Sequence, residues 1–390
     1  MPLKLYRSLL YSYGNTITRL LESRSQLDSV KAQWLNPTNI LSILTVIGVD
    51  VVQRAIAQLA GNPCYFTPVA LSFGWLGYAL NAVGTVIGEG RLMPPADCQC
   101  ILVDATTQTS RRNRSWILGR LVRDHETDST KPGLTLTFYK ASLRYQGIPS
   151  MDWVYCSGIA VIFIQLGISV IPITLFEDWN VFIVTVAGTV LSLFTGALPK
   201  WRKEKWSCRT LQNETDRAVI CLTRGNGYSE VLVIISEGRG HFRLEDLALA
   251  DPGGVPTFGT LAIMMVLFIC QLLLLLTIAG LQNNLWFLFA IKSLGMFYNG
   301  VAAGIRRAPS TTGIRLEREV DGVIAERKVF QALKRAEERE RYVGISLIPI
   351  FFPGGLRPDE EQWRKKTLEH YAESKKIGSP ISNTEGTGSF

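Results

Sequence analysis

Three charged side chains lie where a chain this apolar should hold none. Asp50, Arg54 and Lys292 fall within stretches otherwise apolar enough to enter a bilayer, and Asp50 and Arg54 are spaced to share one helix face. A lone charge near a bilayer centre costs about 2.5–3.5 kcal/mol on insertion scales, so such residues face a cavity, a pathway or a partner. The three make a candidate intramembrane charge cluster, with Gln53, Asn81, Gln165 and Gln271 as polar neighbours. One use is a path for a small molecule or ion. The other is a structural pair fastening one helical hairpin to another.

Little else could do chemistry. His125, His241 and His370 are isolated and fit no H-E-x-x-H or paired metal spacing. The chain has neither a G-x-x-x-x-G-K-[ST] phosphate loop nor a G-x-S-x-G elbow. The glycines of Gly225-Asn-Gly227 and Gly238-Arg-Gly240 read as turns. Cys98 and Cys100 form a C-x-C, but the C-x-x-C needed for a zinc ribbon or a redox pair is absent. No catalytic residue, cofactor or metal is expected, and an enzyme is the least favoured class.

The elements that must position the charges follow from composition. The 390 residues are 47% apolar with a mean hydropathy of +0.16, yet 19% are charged. Both hold only if charge and apolar surface are segregated along the chain, which predicts an α-helical polytopic membrane protein with polar loops. A disordered chain, a secreted mini-protein and a fibrous repeat are excluded. A span needs roughly 20 residues of helix. Six segments qualify, 39–60 and 65–88, 153–176 and 179–199, 258–279 and 285–304. They pair as transmembrane hairpins 39–88, 153–199 and 252–304, with turns at Gly61-Asn62-Pro63, Glu177-Asp178 and Leu281–Asn284. Apart from Arg54 and Lys292, every Lys and Arg lies in 1–38, 89–152, 200–251 or 305–390. The positive-inside rule therefore places those regions and both termini in the cytosol, with no cleaved signal peptide expected.

The long regions read as folded. In 89–152, strands at 101–105 and 134–139 flank a short helix at 115–125. In 200–251, strands at 218–222 and 230–235 flank Asn226-Gly227, a hairpin turn signal. A small cytosolic α+β module built from these two loops is expected. Region 305–378 reads as helical: Leu316, Val320, Val323, Ile324, Phe330 and Leu333 fall mostly three or four apart, predicting one amphipathic helix. The run 343–352 is too short to span and should dock on the module or the membrane surface. Residues 379–390 have the composition of a disordered tail. Lys200-Trp-Arg-Lys-Glu-Lys-Trp206 suits anionic lipid, at about 1 kcal/mol per basic residue. The net charge of +8 thus points to a membrane surface and not to nucleic acid, because acids intersperse the bases. The sequons at Asn113 and Asn213 should stay unmodified on the cytosolic side.

Several strings resemble a family of uncharacterised fungal multi-pass membrane proteins. They are Gln33-Trp-Leu-Asn-Pro-Thr38, Arg91-Leu-Met-Pro-Pro95, Asn113-Arg-Ser-Trp-Ile-Leu-Gly-Arg120, Gly196-Ala-Leu-Pro199 with the basic run after it, Leu222-Thr-Arg-Gly-Asn-Gly227 and Phe351-Phe-Pro-Gly354. The resemblance implies a membrane location and carries over no catalytic residue. The resulting expectation is a non-enzymatic integral membrane protein whose module binds a cytosolic protein partner or scaffolds an assembly. The alternative is a small-molecule or ion transporter using the charge cluster.

Overall fold

A computed structural model describes residues 47–125, 133–249, 258–281 and 283–377. The expected N-terminal segment 1–38, residues 39–46 of the first expected span and the tail 379–390 lie outside them. In chain order the elements are α1 (Val49–Leu59), α2 (Trp75–Glu89), β1 (Ile101–Asp104), β2 (Thr109–Arg112), α3 (Trp116–His125), β3 (Leu134–Ala141), α4 (Trp153–Phe176), α5 (Asn180–Gly196) and α6 (Pro199–Lys205). There follow β4 (Arg217–Thr223), β5 (Glu230–Glu237), α7 (Leu244–Leu249), α8 (Phe258–Ala279), α9 (Leu285–Gly304), β6 (Leu316–Glu326), α10 (Val329–Arg339), α11 (Val343–Phe351) and α12 (Pro358–Ile377). These divide into a helical bundle, from 47–95, 147–207 and 258–314, and a sheet unit, from 96–125, 133–146, 208–249 and 315–377.

Four bundle helices are long and apolar enough to cross a membrane: Trp153–Phe176, Asn180–Lys205, Phe258–Ala279 and Leu285–Gly304. Their outward side chains include Phe163, Ile183, Phe194 and Leu273, while Gln165, Thr189, Ser192, Gln271 and Asn299 are buried. A water-soluble bundle does the reverse; apolar outside and polar inside is the arrangement for lipid solvation. The bundle is built for association with a membrane. Asp152 starts α4 by accepting the Tyr155 N–H at 3.1 Å. Asn284 donates to Asp178 at 2.9 Å, tying the α4–α5 and α8–α9 turns together at one end of the bundle.

The expected first hairpin takes a different form. Helix α1 has 11 described residues and α2 has 15. At about 1.5 Å per residue both fall short of a hydrocarbon core of about 30 Å. Residues 60–74 between them are non-helical, and Thr67, Val69, Ala70, Leu71, Ser72 and Phe73 are buried. The Gly61-Asn62-Pro63 turn also lies at the opposite end from the other two. Ala60 accepts from Lys205, Gln58 from Arg307, and Asn62 donates to Tyr155. Leu92 and Met93, just beyond α2, bond to Glu204 at that same end. The segment therefore enters the bundle extended and returns as α2, so 65–88 is not one continuous helix. The cause is local: Pro63 and Pro68 deny helix hydrogen bonds, and polar side chains of α4 and α9 supply substitutes.

The sheet unit is six-stranded, in the order β2-β1-β4-β5-β3-β6. Strands β3 and β5 pair in parallel and the other neighbours antiparallel. Alternate residues of three strands (Leu134, Leu136 and Phe138; Val219 and Cys221; Val231, Val233 and Ile235) form one core with Leu333 of α10 and Leu347 and Phe351 of α11. The run 343–352 is thus a core helix of this unit. The expected amphipathic helix across 316–333 is corrected: residues 316–326 are β6, and helix begins only at Val329. Strand β6 covers the free edge of β3, and its β-branched Val320, Val323 and Ile324 suit a strand. The register shifts there, with residues 319–322 opposite Phe138 in an irregular bulge; a Cβ on Gly322 would come 2.9 Å from the Phe138 carbonyl oxygen. The sheet thus draws on a third chain region beyond the two loops expected to form it.

Candidate functional site

The extended segment Thr67–Phe73 has no ladder of its own, so side chains satisfy its backbone. The Asn299 amide accepts from the Ala70 N–H at 3.1 Å and donates to the Ala70 carbonyl at 3.0 Å and to Ser72 Oγ at 3.0 Å. Gln165 Nε2 donates to Leu71 at 2.7 Å and to Ile291 at 2.8 Å, joining the segment to α4 and α9. Tyr155 donates to Phe66 O, Thr67 to Gly196 O and Trp75 Nε1 to Ala70 O. Two glycines make room: a Cβ on Gly158 would strike the Pro68 carbonyl, and one on Gly295 the Leu71 carbonyl.

Cations cap the end where α1 stops. Buried Lys205 donates to Ala60 O at 2.8 Å and Arg307 to Gln58 O at 3.1 Å, serving carbonyls that the helix terminus leaves open. Arg307 also forks onto Asp152 at 2.5 and 2.7 Å. Burial pushes the Asp152 carboxyl up, but the Arg307 guanidinium and the Tyr155 N–H outweigh it and hold it below the usual carboxylate range.

Deeper in the bundle the pattern changes. Lys292 is 6% exposed, and among the described residues it makes no hydrogen bond or ion pair. Its ammonium lies 5.9 Å from the centroid of the Phe73 ring, a cation–π contact. It sits about 10 Å along α9 from Leu285, at 1.5 Å per residue. Phe73 is followed directly by the start of α2, where Tyr78 N bonds Gly74 O and no side chain caps the N–H groups ahead of it. The positive end of a 15-residue helix thus follows directly on the residue whose ring the buried ammonium meets. Beside them is an open cleft of about 630 Å³, lined by Phe73, Phe289, Ser293, Met296, Phe297 and Gly300.

The three charges marked by the sequence part company. Asp50 and Arg54 are exposed on α1, whose other face (Val52, Gln53, Ala55, Ile56) is buried, and neither forms an ion pair among the described residues. Lys292 alone is inside. Sequence reading missed Asn299, the partner of Ala70 and Ser72, and the start of α2; Pro68 and Gly74 within an apolar run were the available signals.

Elsewhere many charged groups are engaged with one another or with backbone. Lys200–Trp206 folds largely inward, with Trp201 and Lys205 buried and Trp206 Nε1 donating to Thr312, which leaves Lys203 exposed and Arg202 half-exposed toward any lipid surface. In the sheet unit, fully buried Arg120 pairs with Asp97 at 3.3 Å and Asp124 at 3.0 Å. Cys98 and Cys100 are buried, and burial reinforced by the neighbouring Cys98 pushes the Cys100 thiol up to about 12, an inert state. Among the described residues no group of three or more His, Cys, Asp or Glu could hold a metal. No known protein family matches the chain, and neither a curated protein nor a solved structure is found similar to it.

Proposed function

We propose that this chain is a multi-pass integral membrane protein, with four spanning helices and one re-entrant segment, that binds an anionic solute inside its bundle and transports it. It performs no covalent chemistry on that solute. The reading is carried by the convergence of Lys292 and the start of α2, placed inside the bundle by the extended segment. Interrupted helices whose positive ends point at an anionic substrate are a recurring transporter device, and a buried cation without a counter-ion is costly unless a ligand supplies one. The other polar groups bordering the segment, Gln165, Asn299, Tyr155, Lys205 and Arg307, are occupied with backbone, which supports a role in holding it.

The test is a panel of carboxylates, phosphates and halides added to the purified protein, followed by uptake of the stabilising anion into proteoliposomes. A bound anion at one hundred times its Kd raises stability by about 2.7 kcal/mol, readable as a higher unfolding midpoint. Lys292→Met should abolish both stabilisation and uptake, while Asp50→Asn, on the exposed face of α1, should change neither. If no anion stabilises the wild-type chain, the reading is wrong.

Partner binding by the sheet unit is a second reading, favoured by a separate cleft of about 610 Å³. Phe330 packs edge-on against Phe352 and Trp363 there, and Lys328, Lys334 and Arg357 rim it. Aromatic anchors with a charged rim are the usual make-up of an interface hot spot. Proteins that copurify with the wild type but not with Trp363→Ala would support it; identical sets would refute it.

A further inference from the structure

We infer that the anion is the head of an amphiphile, a long-chain carboxylate, whose apolar tail lies in the cleft along α9; this rests on the anion-binding reading above. The geometry separates a head site from a tail site. At the head, Lys292 and the uncapped start of α2 supply positive charge next to Phe73. At the tail, the cleft offers Phe289, Met296, Phe297 and the bare backbone of Gly300, with Ser293 the one hydroxyl in its lining. Phe73 belongs to both, lining the cleft and carrying the ammonium over its ring.

The chemistry selects the ligand. Residues 289, 293, 296 and 300 recur at three- and four-residue spacing and line the cleft, while Lys292 is buried beside that face, and Phe73 links the two. A small hydrophilic anion would satisfy Lys292 but make no use of an aromatic-lined cleft of about 630 Å³. A neutral lipid would fill the cleft and leave the ammonium uncompensated. A phosphodiester head group needs more donors than one lysine, one hydroxyl and a helix start provide. A single carboxylate on an alkyl or isoprenoid chain meets both demands.

The experiment uses the purified full chain in lipid nanodiscs and measures equilibrium binding of radiolabelled palmitate, acetate and hexadecanol above empty discs. Palmitate should bind at least tenfold more tightly than either single-feature probe. Lys292→Met keeps an unbranched side chain, one atom shorter, without the charge; it should weaken palmitate at least tenfold and leave hexadecanol unchanged. Gly300→Leu separates the tail site, and because nothing lies within 4 Å of a Cβ built there it should fold normally. It should weaken palmitate at least tenfold while acetate binding persists. Equal binding of acetate and palmitate, or no effect of Gly300→Leu on palmitate, overturns the amphiphile and leaves the anion site standing. Hexadecanol binding as tightly as palmitate, with no effect of Lys292→Met, overturns the head site. Absence of binding by both palmitate and acetate overturns the anion reading itself.

Discussion

Asn299 is the side chain on which the re-entrant segment most depends. It takes the place of a neighbouring strand for Ala70, accepting from its N–H and donating to its carbonyl, both within a desolvated core. Each buried backbone group left unpaired costs about 1–3 kcal/mol. Asn299→Leu is therefore expected to destabilise the bundle by about 2–5 kcal/mol, read as a lower unfolding midpoint in detergent. Substitution of exposed Arg54 by Gln should shift that midpoint by less than about 0.5 kcal/mol. In the sheet unit, pH is the corresponding lever. His125 is held neutral first by burial and then by the Arg318 charge, and burial and Lys140 act alike on His241. Both folded-state pKa values lie below the ordinary value of 6.5, so the unfolded chain takes up protons first as pH falls. Their contribution is complete above about 6.5 and is lost as pH drops through and below it. Chemical unfolding followed from pH 8 to pH 5 should show this loss, and the double variant His125→Gln, His241→Gln should flatten it. An unchanged slope would count against the assignment.

At the scale of elements, legibility followed how local the cause was. The uncharged run 153–176 reads directly as α4, and the hairpin around Asn226-Gly227 as β4 and β5, because each needs only its own residues. The stretch 65–88 reads as a span by hydropathy, since burial inside a bundle and burial in lipid select the same side chains. What interrupts it is largely non-local: Gln165 meets the Leu71 carbonyl and Asn299 the Ala70 carbonyl, each more than 90 positions away. Strand β6 was disguised by its bulge, which shifts the phase of its apolar residues and imitates a helical spacing over 316–324. Lys292 could be found as a charge within an apolar run, but which way α1 turns Asp50 and Arg54 depends on what α1 packs against. Glycine pairs test the re-entrant element. In Gly295→Ala the new methyl meets the Leu71 carbonyl, so a cost of about 1–3 kcal/mol or more is expected. Gly300→Ala, on the same helix with open space around it, should be neutral or stabilising by up to about 1 kcal/mol. Equal effects in thermal unfolding would refute a close-packed slot.

For the whole molecule, the re-entrant path changes what topology experiments should find. With three simple hairpins, the turn at Gly61-Asn62-Pro63 would share a membrane face with the α4–α5 and α8–α9 turns. The hydrogen bonds place it at the other end, where Lys205, Arg307 and Asp152 gather, while Asp178 and Asn284 mark the far end. Exposed Cys64 follows that turn directly, and exposed Asn283 lies at the far end. In sealed vesicles an impermeant thiol reagent should therefore reach Cys64 and an Asn283→Cys variant from opposite sides, with the remaining cysteines replaced. The positive-inside rule predicts that Cys64 is the residue labelled from the cytosolic side. Glycosylation sites report the same sidedness unequally. Asn113 is buried and donates to Ser115 O at 2.9 Å, so its lack of glycan is expected on either side once the sheet unit has folded. Asn213 is exposed and only a few residues beyond Lys205, so it is the informative site and should remain unmodified. Labelling of Cys64 and the introduced cysteine from one side would restore three spanning hairpins. The bundle would then lose the inward-pointing start of α2, and with it one of the two positive features on which anion binding rests.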